Sequence, residues 1–347
     1  MTEIIQEKAL RELIDILISA GKTVAGPVAG TQCCGLQQGS SLHRYFYRKV
    51  ESVDELLLDP PDMPMNSIKE FVFPRREVLY SFKYDGKDIE LTDAPVFEGE
   101  QFLFGVRPCD AAACAVLDPL FAWDYDDKFF QARRANTTVV TMACKNVDEH
   151  CFCTSLGHGP EDATGADAML LDLGNGEYEV RTFTDKGKVL FAGKTHSSDK
   201  IGQAASVPEK KFDIDAVVEY LQNHFDDPIW SETSLRCVGC GACTYICPTC
   251  HCFDIIEEGN TTAGDRVKTW DTCQFALFTH HASGHNPRTH QSQRQRNRIQ
   301  HKFRIYKDKF GLILCTGCGN CTRQCSASLG VRPVLQHIAE KALVEMK

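Results

Sequence analysis

The sequence predicts an α/β or α+β domain over residues 1–212 and a smaller, α-helical, cysteine-rich domain over residues 213–347. Two observations support this division. Strand-like runs alternate with helical patterns in the first part, and eleven of the 18 cysteines lie from Cys237 onward. The hydrophobic content of 43% and the charged content of 24% are those of a globular protein with a core. No apolar run reaches the roughly 18 residues of a membrane helix.

The first domain begins with a predicted helix over residues 4–20, whose apolar residues recur at helical spacing and which Gly21 ends. Strand-like runs follow, separated by a short capped helix over residues 52–58. These runs cover residues 44–50, 71–73, 78–82 and 102–106. We then expect a helix over residues 111–121 and a buried strand over residues 137–142.

Residues 170–190 predict a β-hairpin with its turn at Gly174-Asn175-Gly176. A helix over residues 214–225 leads into the cysteine-rich domain, and an amphipathic helix over residues 334–346 ends the chain. Between them, an insertion over residues 254–312 separates two cysteine quartets. The insertion contains a basic stretch, Arg288–Lys309, for which we expect a solvated helix face, with docking of a partner as the next possibility.

Two quartets with the spacing CxxCxxCxxxC are the strongest signal in the chain. In proteins with two 4Fe-4S clusters, the first three cysteines of such a run hold one cluster and the fourth reaches the other. Glycines between the cysteines would allow the tight turns that a cluster-binding loop needs. The predicted ligands are Cys237, Cys240, Cys243 and Cys325 for the first cluster, and Cys315, Cys318, Cys321 and Cys247 for the second.

Zinc is the alternative occupant of these cysteines. Zinc sites usually pair two separated CxxC hairpins into one tetrahedron and make no use of a third cysteine in step. The spacing therefore favours clusters over zinc. The cytoplasmic location that we expect for this chain favours metal binding over disulfides as the role of so many thiols. The mild net charge of −9 gives no reason to expect nucleic acid as the main partner.

Four further cysteines form a candidate third site in the first domain. Each follows a predicted strand or lies in the loop after it, and such loops converge at one edge of an α/β sheet. The candidate ligands are Cys109, Cys144, Cys151 and Cys153. The alternative is that they are buried thiols that behave as small apolar side chains. Cys114, on the helix that follows Cys109, is the first substitute for one of the four.

A weaker set consists of Cys250, Cys252 and Cys273, which lack an obvious fourth ligand unless a histidine such as His251, His280 or His285 supplies one. These thiols either hold another metal or form a packed shell around the clusters. The vicinal pair Cys33-Cys34 has no physical account beyond a thiol in a surface turn.

The chain resembles the β subunits of sulfhydrogenases, which are cytoplasmic nickel–iron hydrogenases, and the iron–sulfur electron-transfer subunits of anaerobic sulfite reductases. It is also similar to related chains that accompany heterodisulfide reductases. The resemblance begins near Phe71 and rests on several landmarks in order besides the quartets. These landmarks are FVFPRREVLYSF (71–82), FGVRPCDAAA (104–113), CFCTSLGHGP (151–160), CPTCHCFDI (247–255), WDTC (270–273) and ASGHNPR (282–288).

The resemblance implies an electron-transfer subunit of an anaerobic oxidoreductase complex. Its partners would be an FAD-containing iron–sulfur subunit, which exchanges electrons with NAD(P)H or ferredoxin, and a terminal catalytic subunit. The FAD would lie on that partner and not on this chain. The resemblance also adds weight to the third cysteine set, but it does not choose among the three complexes.

Two other classes of function stay open from the sequence. The chain could be a self-sufficient reductase with the third cysteine set as its active site. It could also be an iron–sulfur regulatory or nucleic-acid-binding protein, which its acidity and the lack of interleaved aromatics in the basic stretch disfavour.

Overall fold

A computed structural model of the chain describes residues 1–30 and 44–345. It contains two sheets, one of eight strands and one of four. The strands are β1 (Thr2–Gln6), β2 (Thr23–Gly30), β3 (Arg44–Lys49), β4 (Arg76–Asp85), β5 (Asp88–Asp93), β6 (Gln101–Val106), β7 (Thr137–Met142), β8 (Ala168–Gly174), β9 (Glu177–Thr182), β10 (His196–Ser198), β11 (Phe253–Gly259) and β12 (Ala263–Trp270).

Helices connect the strands in the first part of the chain and make up most of its C-terminal part. They are α1 (Glu7–Ser19), α2 (Lys69–Val72), α3 (Pro108–Phe121), α4 (Lys128–Ala135), α5 (Asp185–Phe191), α6 (Ile214–Asn223), α7 (Ile229–Ser234), α8 (Ala242–Tyr245), α9 (Gln291–Gln300), α10 (Tyr306–Phe310), α11 (Asn320–Arg323) and α12 (Val331–Glu345). A π-helical turn, His301–Ile305, joins α9 and α10 into one continuous helix. Three 3₁₀ turns lie at Val53–Glu55, Cys153–Leu156 and Ala276–Thr279.

The large sheet has the strand order β10-β1-β9-β8-β7-β6-β2-β3. Its four central strands, β2, β6, β7 and β8, run parallel, and the outer strands are antiparallel. All six residues of β7 are buried, as expected for a central strand covered on both faces. The structure therefore confirms the predicted mixed α/β class of the first part of the chain.

Most predicted elements of the first part of the chain form near where expected, and three differ. The hairpin predicted over residues 170–190 is shorter, because residues 185–191 form helix α5, which the Thr184 hydroxyl caps by accepting a hydrogen bond from the Gly187 amide. Residues 2–6 form strand β1 ahead of α1, because Ile4 and Ile5 are buried where β1 pairs with β9. Residues 69–72 are helical instead of extended. The hydroxyl of Ser67 accepts a hydrogen bond from the Lys69 amide at 3.1 Å at the start of this turn, which places Val72 in the core.

The small sheet brings together two distant parts of the chain, in the order β11-β12-β4-β5. β11 and β12 come from the predicted insertion, whereas β4 and β5 come from residues 76–93. Buried charges fix this junction, because the Lys268 ammonium lies 2.7 Å from carboxylates of both Glu77 and Asp127. Strand β12 of the predicted insertion thus pairs with strand β4 of the first part of the chain. The division into two domains at residue 212 stays a prediction.

The C-terminal helices share a second apolar core. α6 and α12 pack through Val217, Leu221, Val334 and Ile338, and Phe303 of the long helix joins the same core. This arrangement confirms the predicted helical C-terminal part. Within residues 1–30 and 44–345, none of the helices is long and apolar enough to cross a membrane.

Candidate iron–sulfur centres

The two quartet loops have the same backbone shape. In the first loop, Gly239 and Gly241 have φ values of 67° and 74°, and in the second, Gly317 and Gly319 have 69° and 76°. Only glycine adopts this left-handed region without strain. Each loop continues into a one-turn helix, α8 or α11, and these two helices pack against each other. The predicted glycine turns are confirmed, and the loops form a structural repeat.

The second loop lies directly against the loop that carries Cys151 and Cys153. A Cβ atom at Gly317 would lie 2.5 Å from the backbone nitrogen of Cys153, and one at Gly319 would lie 2.5 Å from the carbonyl oxygen of His150. The Phe152 amide also donates a hydrogen bond to the Gly317 carbonyl at 2.9 Å. Glycine is therefore required here for close approach as well as for its φ angle.

The four cysteines predicted for the second cluster line one buried pocket. Cys315, Cys318 and Cys321 come from the second quartet, and Cys247 crosses over from the first. Each is 6–8% exposed. Burial raises the pKa of the Cys315 thiol to about 12. The Val331 amide lies 3.3 Å from Cys321 Sγ, in position to donate a hydrogen bond. The structure thus places the crossing cysteine beside the three with which the sequence pairs it.

The cysteines predicted for the first cluster lie nearer the surface. Cys240 is exposed, whereas Cys237, Cys243 and Cys325 are half-buried. Two of them accept hydrogen bonds at 3.3 Å, Cys237 Sγ from the Gln291 side-chain amide and Cys325 Sγ from the Leu329 backbone amide. Burial raises the pKa of Cys243 to about 12, and the nearby Cys321 thiol acts in the same direction. The first site therefore adjoins the second.

Buried cations surround both sites, a feature that the sequence did not predict. Arg298 and Lys302 lie in the basic stretch, yet each is only 2% exposed. The expectation of a solvated face is therefore wrong at these two positions, because they project from the long helix toward the cysteines. The i, i+4 spacing of Arg298 and Lys302, alongside the apolar pair Ile299 and Phe303, is the signal that could have revealed a buried face.

Lys302 and Arg298 have no carboxylate partner among the described residues. The Lys302 ammonium donates to Cys247 Sγ at 3.4 Å and to the Thr249 hydroxyl at 2.9 Å. Burial disfavours its charge, but the thiolates of Cys247 and Cys250 outweigh burial and raise the pKa of Lys302. Cys243 and Cys321 likewise raise the pKa of Arg298 against burial.

These surroundings fit an anionic cluster held by thiolates. Burying a cation costs free energy unless an anion lies nearby, and here the thiolate sulfurs are the nearby anions. Among the described residues, Nε and Nη1 of Arg298 and the hydroxyl of Thr316 are buried without a hydrogen-bond partner. The sulfide ions and cysteine sulfurs of a cluster accept hydrogen bonds from donors of this kind.

The third cysteine set lies at the carboxyl edge of the parallel strands, as the sequence predicts. Cys109 opens α3 after β6, and Cys144 follows β7. Burial raises the pKa of Cys109, and the nearby thiols of Cys318, Cys144 and Cys151 act in the same direction. Burial also raises the pKa of Cys144 to about 11, with Cys153 among its neighbours. Cys109 thus lies near Cys144, Cys151 and Cys318 of the second quartet, and Cys144 lies near Cys153.

Arg323, which lies in α11 of the second quartet, connects this quartet to the loop of the third cysteine set. It donates to both carboxylate oxygens of Asp148 at 2.8 Å, and its guanidinium lies 4.0 Å from Cys151 Sγ. Buried Arg107 lies beside Cys144 and forms an ion pair with Asp59 at 3.1 Å. In contrast, Cys114 faces the apolar core, where burial raises its pKa to about 12, and it does not join the set.

The weaker cysteine set forms pairs of thiols instead of one group. Cys250 lies beside Cys247, and Cys252 lies beside Cys273. In each pair the first-named thiol donates a hydrogen bond to its partner, which raises the pKa of the donor and lowers that of the acceptor. The half-buried His251 ring lies 5.4 Å from the His301 ring, and its Nδ1 hydrogen-bonds the Thr249 carbonyl at 3.1 Å. His280 and His285 lie in an exposed segment. A histidine ligand for this set stays a prediction, and Cys33 and Cys34 lie outside the described residues.

Within the described part of the chain, no three His, Cys, Asp or Glu side chains converge tightly enough to hold a single metal ion. Four thiolates on one zinc ion would lie about 3.8 Å apart, given a Zn–S distance of about 2.3 Å. A four-iron cluster is a larger body and holds its cysteines further apart.

Comparisons with known proteins agree with this site. Residues 236–329 match the family described as a 4Fe-4S dicluster domain. The chain is 28% identical over 309 residues to sulfhydrogenase 2 subunit beta of Pyrococcus furiosus, a match that covers 85% of this chain and 89% of that protein. No solved structure matches the chain. The resemblance predicted from the sequence is confirmed: residues 236–329 match a 4Fe-4S dicluster domain, and most of the chain is similar to a sulfhydrogenase β subunit.

Proposed function

We propose that this chain is an electron-transfer subunit of a multi-subunit oxidoreductase. The observation that carries the proposal is the continuous series of thiols from exposed Cys240, through the buried second site, to the third set at the edge of the large sheet. Such a series provides successive positions for single electrons across the chain. No acid–base or nucleophilic step by this chain is needed for that function.

The first cluster would be held by Cys237, Cys240, Cys243 and Cys325, and the second by Cys315, Cys318, Cys321 and Cys247. The third cysteine set would hold one further cluster, and we assign no metal to Cys250, Cys252 or Cys273. Bound clusters supply one-electron chemistry. The chain's own contribution is to supply thiolates, exclude water and place Lys302, Arg298 and backbone amides beside the sulfurs.

We further propose that the chain relays electrons between an FAD-containing partner, reactive with NAD(P)H or ferredoxin, and a terminal catalytic subunit. The name of its relative favours a hydrogenase as the terminal subunit over a sirohaem sulfite reductase or a heterodisulfide reductase. The proposal includes a cytoplasmic location and an anaerobic setting, because exposed clusters and free thiols persist under reducing conditions.

Reductive titration of the anaerobically purified chain tests the proposal. We expect it to take up several electrons from dithionite, with EPR signals of reduced 4Fe-4S clusters, and to show no turnover alone with hydrogen, sulfite or pyridine nucleotides. Changing Cys247→Ser should alter the signals of the second cluster, whereas the matched variant Cys114→Ser should not.

Two outcomes would favour the other classes. Turnover by the isolated chain that Cys151→Ser abolishes would make it a self-sufficient reductase with the third set as its active site. Retention of duplex DNA at physiological ionic strength, weakening steeply with salt, would indicate a regulatory or nucleic-acid-binding protein.

A further inference from the structure

The two quartet sites differ sharply in their access to the surface. Cys240 of the first site is exposed, whereas the four cysteines of the second site are each 6–8% exposed. If the chain transfers electrons as proposed above, a partner at this end of the molecule exchanges them with the first site. The surface around Cys240 is therefore where such a partner would bind.

Large apolar side chains are exposed around Cys240. Leu235 is 84% exposed, Val238 within the loop is 79% exposed, and Leu277 is 77% exposed. Leu277 belongs to the segment that packs on the loop, since a Cβ atom at Gly241 would lie 3.0 Å from the Phe275 ring. We call Leu235, Val238, Cys240 and Leu277 the docking face. Exposed apolar groups clustered at a site are typical of protein interfaces.

The two chain segments that form the docking face carry basic side chains and no acidic ones. Residues 233–253, which carry the first loop, contain no Asp or Glu, and neither do residues 272–307, which pack on it. Yet the whole chain has 47 acidic residues against 38 Lys and Arg. Exposed Arg236 adjoins the loop, and half-buried Arg288 follows the segment of Leu277. The face therefore has an apolar centre with positive charge around it.

We propose that the docking face binds an acidic electron-transfer protein whose redox group lies behind an apolar contact patch with Asp and Glu at its rim. Opposite charge steers such a partner and speeds association, while the apolar centres exclude water where the two redox groups approach. This inference rests on the proposed function and adds the chemistry of the partner and the surface that receives it.

Electron transfer from a reduced plant-type 2Fe-2S ferredoxin, a small acidic protein, tests the inference in the full-length chain with its clusters. Leu277→Glu places a negative charge on the docking face. Val189→Glu is the matched control, because Val189 is also 77% exposed but lies on α5, beside the large sheet. Reduction by methyl viologen radical, a small molecule, reports whether the clusters accept electrons in each variant.

We expect Leu277→Glu to lower the second-order rate constant with ferredoxin at least tenfold, and Val189→Glu to leave it within twofold. Added salt should slow the reaction of the unmodified chain, and all three proteins should react equally with methyl viologen. Equal ferredoxin rates for the two variants, or a rate that salt does not lower, would overturn the inference alone. Competition by duplex DNA at the face would also overturn it. Failure of the unmodified chain to take electrons from methyl viologen would instead overturn the proposed function.

Discussion

Replacing Lys302 by methionine should lower the reduction potential of the second cluster. The Lys302 ammonium is buried 3.4 Å from Cys247 Sγ and has no carboxylate partner among the described residues. A fixed positive charge stabilises the reduced cluster, which carries one more negative charge than the oxidised one. Methionine keeps the length and apolar character of the side chain but removes the charge.

The size of the shift follows from Coulomb's law. At an effective dielectric of about 20, two unit charges separated by the distance from Nζ to Sγ interact by about 5 kcal/mol. The added electron is spread over the cluster, so that roughly a quarter to a half of this energy acts on it. At about 59 mV for each 1.36 kcal/mol, the potential should fall by about 50 to 100 mV.

An EPR-monitored redox titration measures the shift. Lys302→Arg keeps the charge and should stay close to the unmodified chain. Lys307→Met is the matched control, because it removes from the same helix a half-buried charge that pairs with Asp215. A shift of less than about 20 mV in Lys302→Met, or one toward positive potential, would refute the electrostatic reasoning, since about 20 mV corresponds to only about 0.5 kcal/mol.

Three further predictions concern iron content and stability. Cys151→Ser should lower iron by about four atoms per chain, whereas Cys114→Ser should leave it unchanged, and iron analysis of both variants checks this. Arg323→Met removes both hydrogen bonds from the guanidinium to the exposed Asp148 carboxylate, and it should lower the melting temperature of the iron-loaded chain by about one or two degrees, for a loss of up to about 1 kcal/mol. An unchanged melting temperature would contradict the link between the two loops. Burial lowers the pKa of His301 to about 4, and the positive charges of Lys302 and Arg288 act in the same direction. The unfolded chain therefore takes up a proton below about pH 6.5 that the folded chain does not. Stability should therefore fall between pH 7 and pH 5, and thermal unfolding should show a smaller fall in His301→Gln.

Local sequence patterns were sufficient for the elements whose stability is mostly local. The hairpin at Gly174–Gly176, the buried strand β7 and the glycine turns of both quartets form as predicted, because turn geometry and hydrophobic periodicity determine them. β1 and α2 were missed, because pairing with β9 and packing in the core override the local preferences of those residues. Such partners lie far away in the sequence.

The candidate site likewise has some features that the local sequence predicts and others that depend on tertiary packing. The spacing of the quartets predicted which cysteines lie together, and the structure places Cys247 beside the second quartet. The charges around the sulfurs could not be predicted from spacing, because Arg298 and Lys302 reach the cysteines only through the packing of a helix from the insertion. A basic stretch viewed as sequence alone resembles a solvated surface.

Metal and sulfide analysis of anaerobically purified chain tests the central claim most directly, namely that the quartet cysteines hold iron–sulfur clusters. The account predicts iron and acid-labile sulfide in equal amounts, about eight of each per chain from the quartets and about four more from the third set. A colourless protein that contains zinc in place of iron, without labile sulfide, would contradict it.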